Sequence, residues 1–195
     1  MADTKISAMT AAALPLTGAE LVPVVQSGVN KKTTVADIVG YQQAYGAWDD
    51  TTTQTGSTTV GTVVTLNTQS ISDGITLVDG SKFTVPNTGV YNFQFSAQLK
   101  NTDNAQHIVT IWVRKNGTDI PNSATNVTVP ARKTSNIYGY LVASWNFFFD
   151  LVSNDYVELV WLPASTLVTM ETLPQSTTPA YPEIPSIIVT MNQVA

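Results

Sequence analysis

The side chains able to do chemistry are few. The chain holds one histidine, fourteen aspartates and glutamates and no cysteine, so thiolate chemistry and disulfides are excluded and acid–base work would fall to carboxylates. Candidate pairs are Asp49 with Asp50, Asp73 with Asp79, Asp103 with Asp119, and Asp155 with Glu158. Cleaving a glycosidic bond takes two carboxyls facing one cleft about 5–10 Å apart. Most of these residues lie in turn-like sequence instead, where an Asp side chain stabilises the turn itself. His107 opens a run in which it shares a face with Val109, Ile111 and Val113; that makes it a rim histidine, hydrogen-bonded or solvated, rather than a base. No spacing of ligands matches a metal cluster, and no acidic loop has the oxygen density that calcium needs. Gly-x-Ser-x-Gly is absent, which removes the nucleophile elbow. The stretch from Gly74 through Gly80 to Lys82 has the wrong spacing for a phosphate loop and fits a strand between turns. Asn116-Gly117-Thr118 and Asn126-Val127-Thr128 match the glycosylation pattern. We expect no enzyme, no cofactor and no metal.

The element that must position everything else is Phe83 to Leu99, FTVPNTGVYNFQFSAQL. Tyr91, Phe93, Phe95, Ala97 and Leu99 alternate with Asn92, Gln94, Ser96 and Gln98, which gives a strand with one apolar and one polar face. Pro86, Asn87 and Gly89 supply a tight turn between Phe83–Val85 and this long strand. Further strands are expected at Ile75–Val78, at His107–Arg114 up to the Asn116-Gly117 hairpin signal, and at Asn126–Val129. Tyr138–Val152 and Tyr156–Leu162 should pair across Ser153-Asn154-Asp155, and Ile187–Val194 forms a last strand. Residues 163–186, with Pro163, Pro174, Pro179, Pro182 and Pro185, read as a loop. Many short strands without a long helix mean an all-β sandwich or jelly roll.

Composition narrows the partners. A net charge of −5 and a pI near 4.6 argue against nucleic acid, whose phosphates need basic clusters. Lys31-Lys32, Arg114-Lys115 and Arg132-Lys133 are isolated pairs and read as solvated turn residues. No apolar run reaches the length of a membrane span, so no membrane insertion is expected. The opening MADTKISAMT has no hydrophobic region, which predicts synthesis in a cytoplasm without a secretory signal.

Residues 1–43 should form their own unit and 44–195 the main domain. Ile6, Leu14, Leu16, Leu21, Val22, Val24 and Val25 punctuate the first unit. Leu21–Gln26 reads as a strand, Ser27–Asn30 as a hairpin turn leading into Lys32–Val35, and Thr34 as the cap of one helical turn reaching Ile38. So small a unit, without cysteine or metal ligands, should dock on something larger.

The main domain also carries apolar residues on both strand faces. Trp145, Phe147, Phe149 and Leu151 alternate, but Phe148 points the other way between Asn146 and Asp150, and Ile187 and Ile188 supply both faces of the last strand. A strand apolar on both faces is buried on both. The second face must meet another subunit or a covering loop, and of the two we expect a subunit.

GSKFTVPNTGVYNFQFSAQL (80–99), IWVRKNGTDIPNS (111–123), VTVPAR (127–132), SNDYVELVWL (153–162) and the C-terminal IIVTMNQVA together resemble the C1q/TNF-like jelly roll, in the versions found in bacteriophage structural and tail-fibre proteins. The block from Lys5 to Ile38 is similar to the short unit at the start of many phage fibres. The resemblance implies a homotrimer of jelly rolls in a virion, made in the host cytoplasm. Its N-terminal unit would dock on other virion proteins through Ile6, Leu14, Leu16, Leu21, Val22, Val24, Val25, Val35 and Ile38. Phe148, Ile188, Asn92 and Gln94 are the expected trimer interface. Exposed loops would contact a host surface glycan or protein, with Trp112, Met170 and Tyr181 as candidates; for Trp112 the competing reading is burial. The implied role is a short tail fibre or fibre tip for host attachment, or alternatively a capsid decoration or head fibre that stabilises or extends the shell.

Overall fold

The computed structural model describes residues 18–35, 38 and 43–195. The chain divides into two compact units, Met1–Gln42 and Gln43–Ala195. In the first, β1 (Leu21–Gln26) and β2 (Val29–Thr34) pair antiparallel. Ser27 and Gly28 both have positive φ, 55° and 75°, so the turn is the two-residue type whose twist matches the flanking strands. It is shorter than the expected Ser27–Asn30, and Val29 already belongs to β2. The helical turn expected after Thr34 spans residues 36 and 37, and Ile6, Leu14 and Leu16 fall in 1–17. All five lie outside the described residues.

The second unit contains, in chain order, β3 (Tyr45–Asp50), β4 (Gln54–Thr55), β5 (Thr62–Val63), β6 (Thr68–Asp73), β7 (Thr76–Val78), β8 (Lys82–Thr84), β9 (Gly89–Asn101) and β10 (His107–Lys115). There follow β11 (Thr118–Asp119), β12 (Thr125–Val129), β13 (Gly139–Leu151), β14 (Tyr156–Pro163), β15 (Val168–Met170), β16 (Ser176–Thr177), β17 (Ala180–Tyr181) and β18 (Ile187–Gln193). Two antiparallel sheets form a sandwich. The first runs β6–β3–β18–β9–β13, with β15 and β4 extending it beyond β18; the second runs β7–β8–β14–β10–β12, with β5 and β11 at its margins. The small β16–β17 hairpin stands apart.

The long strand is as its alternation predicts, though longer: Tyr91, Phe93, Phe95, Ala97, Leu99 and Asn101 are all buried. The connections differ from expectation. β13 pairs with β9, and β14 pairs with β10, β8 and β5, so Ser153-Asn154-Asp155 is a crossing between sheets and not a hairpin. The turn at Pro86–Thr88 likewise carries the chain from β8 in one sheet to β9 in the other. The two crossings brace each other: Val85 N–H donates to Asp155 O at 3.0 Å, Asn154 N–H to Val85 O at 2.9 Å, and Ser153 Oγ to Pro86 O at 2.7 Å. Short connections look like hairpins in sequence, but strands that each bury an alternating apolar face can meet across the core as well as side by side.

The core seals the sandwich through aromatic edges. Phe83 of β8 lies 5.2 Å from Trp48 of β3 and 5.3 Å from Phe93 of β9, at 65° and 71° between ring planes. These edge-to-face pairs add stability beyond the area they bury. Phe83→Ala removes the ring that both contacts share; it should cost about 3–5 kcal/mol, measured by urea unfolding against a parent of unchanged m-value.

Candidate functional site

β13 is the element that looks unfinished. It spans Gly139–Leu151 and has a single ladder partner, β9, so along its other edge the backbone groups have no strand to pair with among the described residues. A long edge strand of this kind needs a cover, because it templates pairing with other chains. Its inward rings, Trp145, Phe147 and Phe149, are only half-buried. All three pack against the buried core cluster.

The outward face of the same sheet collects the residues expected at a subunit contact. Phe148 lies directly opposite Asn92, and Asn92 opposite Asn192; Gln94 is flanked by Asn146 and Thr190; Ile188 faces Ser96. All four candidates thus fall on one face of three adjacent strands. Phe148 is 62 % exposed and Ile188 45 %, a large apolar outlay for a solvent face. Val142, Tyr140, Tyr45 and Ile71 are further exposed side chains on this face. Sequence reasoning missed them because Val142 and Tyr140 share an alternation phase with Ser144 and Asn146, and only the register brings Tyr45 and Ile71 alongside. The centre is polar: Gln94, Ser96, Ser144 and Thr190 line a shallow depression beside Ile188. Asn92 Oδ1 is buried without a hydrogen-bond partner, an unsatisfied acceptor at the middle of an otherwise paired sheet.

The three receptor-contact candidates separate. Met170 is a correction: it is fully buried and pairs with Leu99, because residues 168–170 form β15 and prolong the β9 ladder past β18. The segment 163–186 is therefore partly strand, and Met170 belongs to the core. Trp112 is half-buried; its Nε1 donates to Asp119 Oδ1 at 2.7 Å, the Arg114 guanidinium lies 5.8 Å from its ring centroid, and a Cβ at Gly61 would come within 2.5 Å of the ring. The loop before β5 covers it. Tyr181, at the end of β17, is 42 % exposed. In the first unit Leu21, Val25 and Ile38 are exposed, while Val22, Val24 and Val35 are half-buried.

The carboxylates are held separately. Asp50 accepts from Thr52 N and Asn67 Nδ2 at 2.6 and 3.2 Å, Glu158 from Ser81 Oγ at 3.1 Å, and Asp79 binds Lys82 at 2.7 Å. Asp103 Oδ2 lies 2.7 Å from His107 Nε2, and that hydrogen bond holds the Asp103 carboxyl below its usual range. Arg114, and then Trp112, do the same for Asp119. Each acid thus fastens a turn or strand end. Among the described residues no three His, Cys, Asp or Glu side chains group to hold a metal ion.

No family model matches the chain, and no curated protein matches it in sequence.

Asp155 is the acid most tightly engaged. Burial works to raise its pKa, but Lys115 Nζ at 2.6 Å, Asn116 Nδ2 at 2.7 Å and Val152 N–H at 2.9 Å outweigh it and hold the carboxyl at about 2. An unfolded Asp titrates near pH ~3.9. The stabilisation is therefore complete above that value and is lost as pH falls through about 2. Melting curves from pH 7 to 2 should show the parent losing stability below pH ~4. Asp155→Ala should lose about 2 kcal/mol at neutral pH and show a shallower acid limb.

Proposed function

We propose that this chain is a structural protein of a bacterial virus, a homotrimer of C1q/TNF-like jelly rolls that serves as a short tail fibre or fibre tip and contacts the host surface. The observation that carries the reading is the unfinished β13. Its free edge, its half-covered inner rings and the exposed Phe148 beside it leave one side of the molecule without the burial that a long strand needs. Closed symmetry answers this economically, since each copy offers the same edge and the same outward face to its neighbour. The eight principal strands divide as β3–β18–β9–β13 and β8–β14–β10–β12, four to a sheet, and each step along the chain changes sheet except that from β10 to its partner β12, an order that suits a double-sheet jelly roll.

The contact role has its own support. β3 begins at Tyr45, which is in register with Asn192 and through it with Asn92, whereas Asp50 is in register with Ile187 and Ala97. The chain thus enters the sandwich at the start of β9. The connections 102–106, 130–138 and 164–186 leave from the other end of β9 and its neighbours. Loops on a rigid scaffold are where recognition is placed.

Light scattering of the purified protein at micromolar concentration should give three times the 20.9 kDa chain mass. Phe148→Glu with Ile188→Glu should give a monomer that still melts cooperatively, because both side chains are already exposed in the single chain. A monomeric parent would overturn the trimer. Pre-incubation of host cells with the trimer should block adsorption of the virus, and Tyr181→Ala should weaken that block. Labelling confined to the capsid would replace the tail-fibre reading with head decoration.

A further inference from the structure

Of the nine lysines and arginines, six lie in the second unit: Lys82, Lys100, Arg114, Lys115, Arg132 and Lys133. Four have carboxylate partners, Lys82 with Asp79, Lys100 with Glu171, Arg114 with Asp119 and Lys115 with Asp155, all at 2.6–2.7 Å. Arg114 and Lys115 are thus strand residues in ion pairs and not the solvated turn pair expected. Arg132 and Lys133 are adjacent, and among the described residues they are the two cations of this unit without a carboxylate partner. In a unit that pairs its other four cations, two neighbouring ones without a carboxylate leave room for an anion.

The loop that carries them is braced at its base. Gly139 packs so closely on the Pro130 carbonyl that a Cβ there would collide with it. Asn101, fully buried, donates from Nδ2 to Ala105 O at 2.8 Å and Pro130 O at 3.0 Å, while its Oδ1 accepts from Asp103 N at 2.8 Å. Arg132 N–H donates to Asp103 O at 2.8 Å, and Lys133 N–H to Ile137 O at 2.7 Å. Asp103 does not neutralise the pair, because its carboxylate is turned to His107. Arg132 is half-buried, Lys133, Ser135 and Asn136 are exposed, and Ile137 is 54 % exposed. Two adjacent cations on a braced backbone, with small polar side chains beside them, suit a charged sugar.

We propose that Arg132 and Lys133 seat a single oxyanion group, phosphate or carboxylate, carried on a surface polysaccharide. The polysaccharide rests on the host-contact reading above; the anion seat rests on the loop alone. A nucleic-acid backbone fits less well, because two cations on a protein of charge −5 serve one anionic group and not a charge at about every 1.7 Å.

The test titrates the full chain with phosphate-bearing dextran, carboxymethyl dextran, neutral dextran and a single-stranded oligonucleotide. Salt is set at about 20 and about 200 mM, where screening differs strongly. At least one anionic dextran should bind more tightly at low salt and neutral dextran should not; the preference between the two anionic ones identifies the group. Arg132→Ala with Lys133→Ala should weaken binding at least about tenfold, whereas Lys31→Ala with Lys82→Ala, which removes equal charge elsewhere, should change it by less than about twofold. The fold should survive, since Arg132 holds Asp103 through its backbone. The inference is overturned if neither anionic dextran binds, if the Arg132/Lys133 variant binds like the parent, or if the oligonucleotide binds more tightly than both dextrans. It is equally overturned if that variant changes its mass by light scattering, which would make the pair a subunit contact. Failure of the parent to adsorb to host cells would remove the host-contact reading, and the dextran titration would still decide the seat.

Discussion

The structure depends on the two-residue period of β9. With no cysteine, the sandwich is held by apolar burial, and β9 supplies the longest uninterrupted run of it. Tyr91, Phe93, Phe95, Ala97 and Leu99 fill the space between the sheets. The same strand sets the register of β13 along thirteen residues and of β18 along seven. A slip by one residue would turn those side chains out and Asn92, Gln94, Ser96 and Gln98 in. That cost fixes the phase of both neighbours, and through β18 that of β3. Trp48 is thereby brought against Phe83, and the second sheet is locked to the first.

The same register explains why one face is chemically mixed. Once the inward phase of β9 is fixed, β13 must place Trp145, Phe147 and Phe149 inward and Phe148 outward. Nothing in the single chain requires Phe148 to be aromatic, and an exposed Phe adds no stability to a monomer. Beside it the acceptor of Asn92 is buried without a donor, a cost that a packed sheet avoids. Apolar margins around a polar centre, on a face with an open edge, are what a contact surface needs if it is to fix orientation as well as provide burial.

Much of this could be read in the sequence, and the failures have a common cause. Alternation exposes which face of a strand is buried, so β9, the two-faced β13 and β18, and the rim position of His107 could all be read from the residues. Pairing cannot be read that way. β13 and β14 look like a hairpin because three polar residues separate them, yet both must supply apolar faces to one core from opposite sides. Met170 resembled a loop residue because prolines surround it, whereas the open flank of β9 beyond β18 offered residues 168–170 a ladder. Trp112 faces outward as its position predicts, but the segment before β5, with Gly61 against the ring, closes over it; no local pattern announces a covering loop. The unpaired state of Arg132 and Lys133 was equally hidden, since it is defined only by where the carboxylates end up.

The distribution of charge follows from the same economy. A charged side chain on a sandwich surface adds little stability alone, and here most of the cations fasten elements together. Lys115 bridges the end of β10 to the β13–β14 crossing through Asp155 and also reaches the carbonyl of Asp150 at 3.1 Å. Lys100 ties β9 to the segment after β15 through Glu171. Both act where the chain changes sheet or leaves the ladder, the places where backbone pairing is weakest. The loop 130–138 achieves its bracing differently, through the buried amide of Asn101 and the close approach of Gly139 to Pro130. Its cations are therefore not needed for structure. Rigidity obtained from neutral groups leaves charge free for recognition, and it lowers the ordering cost that binding would otherwise carry.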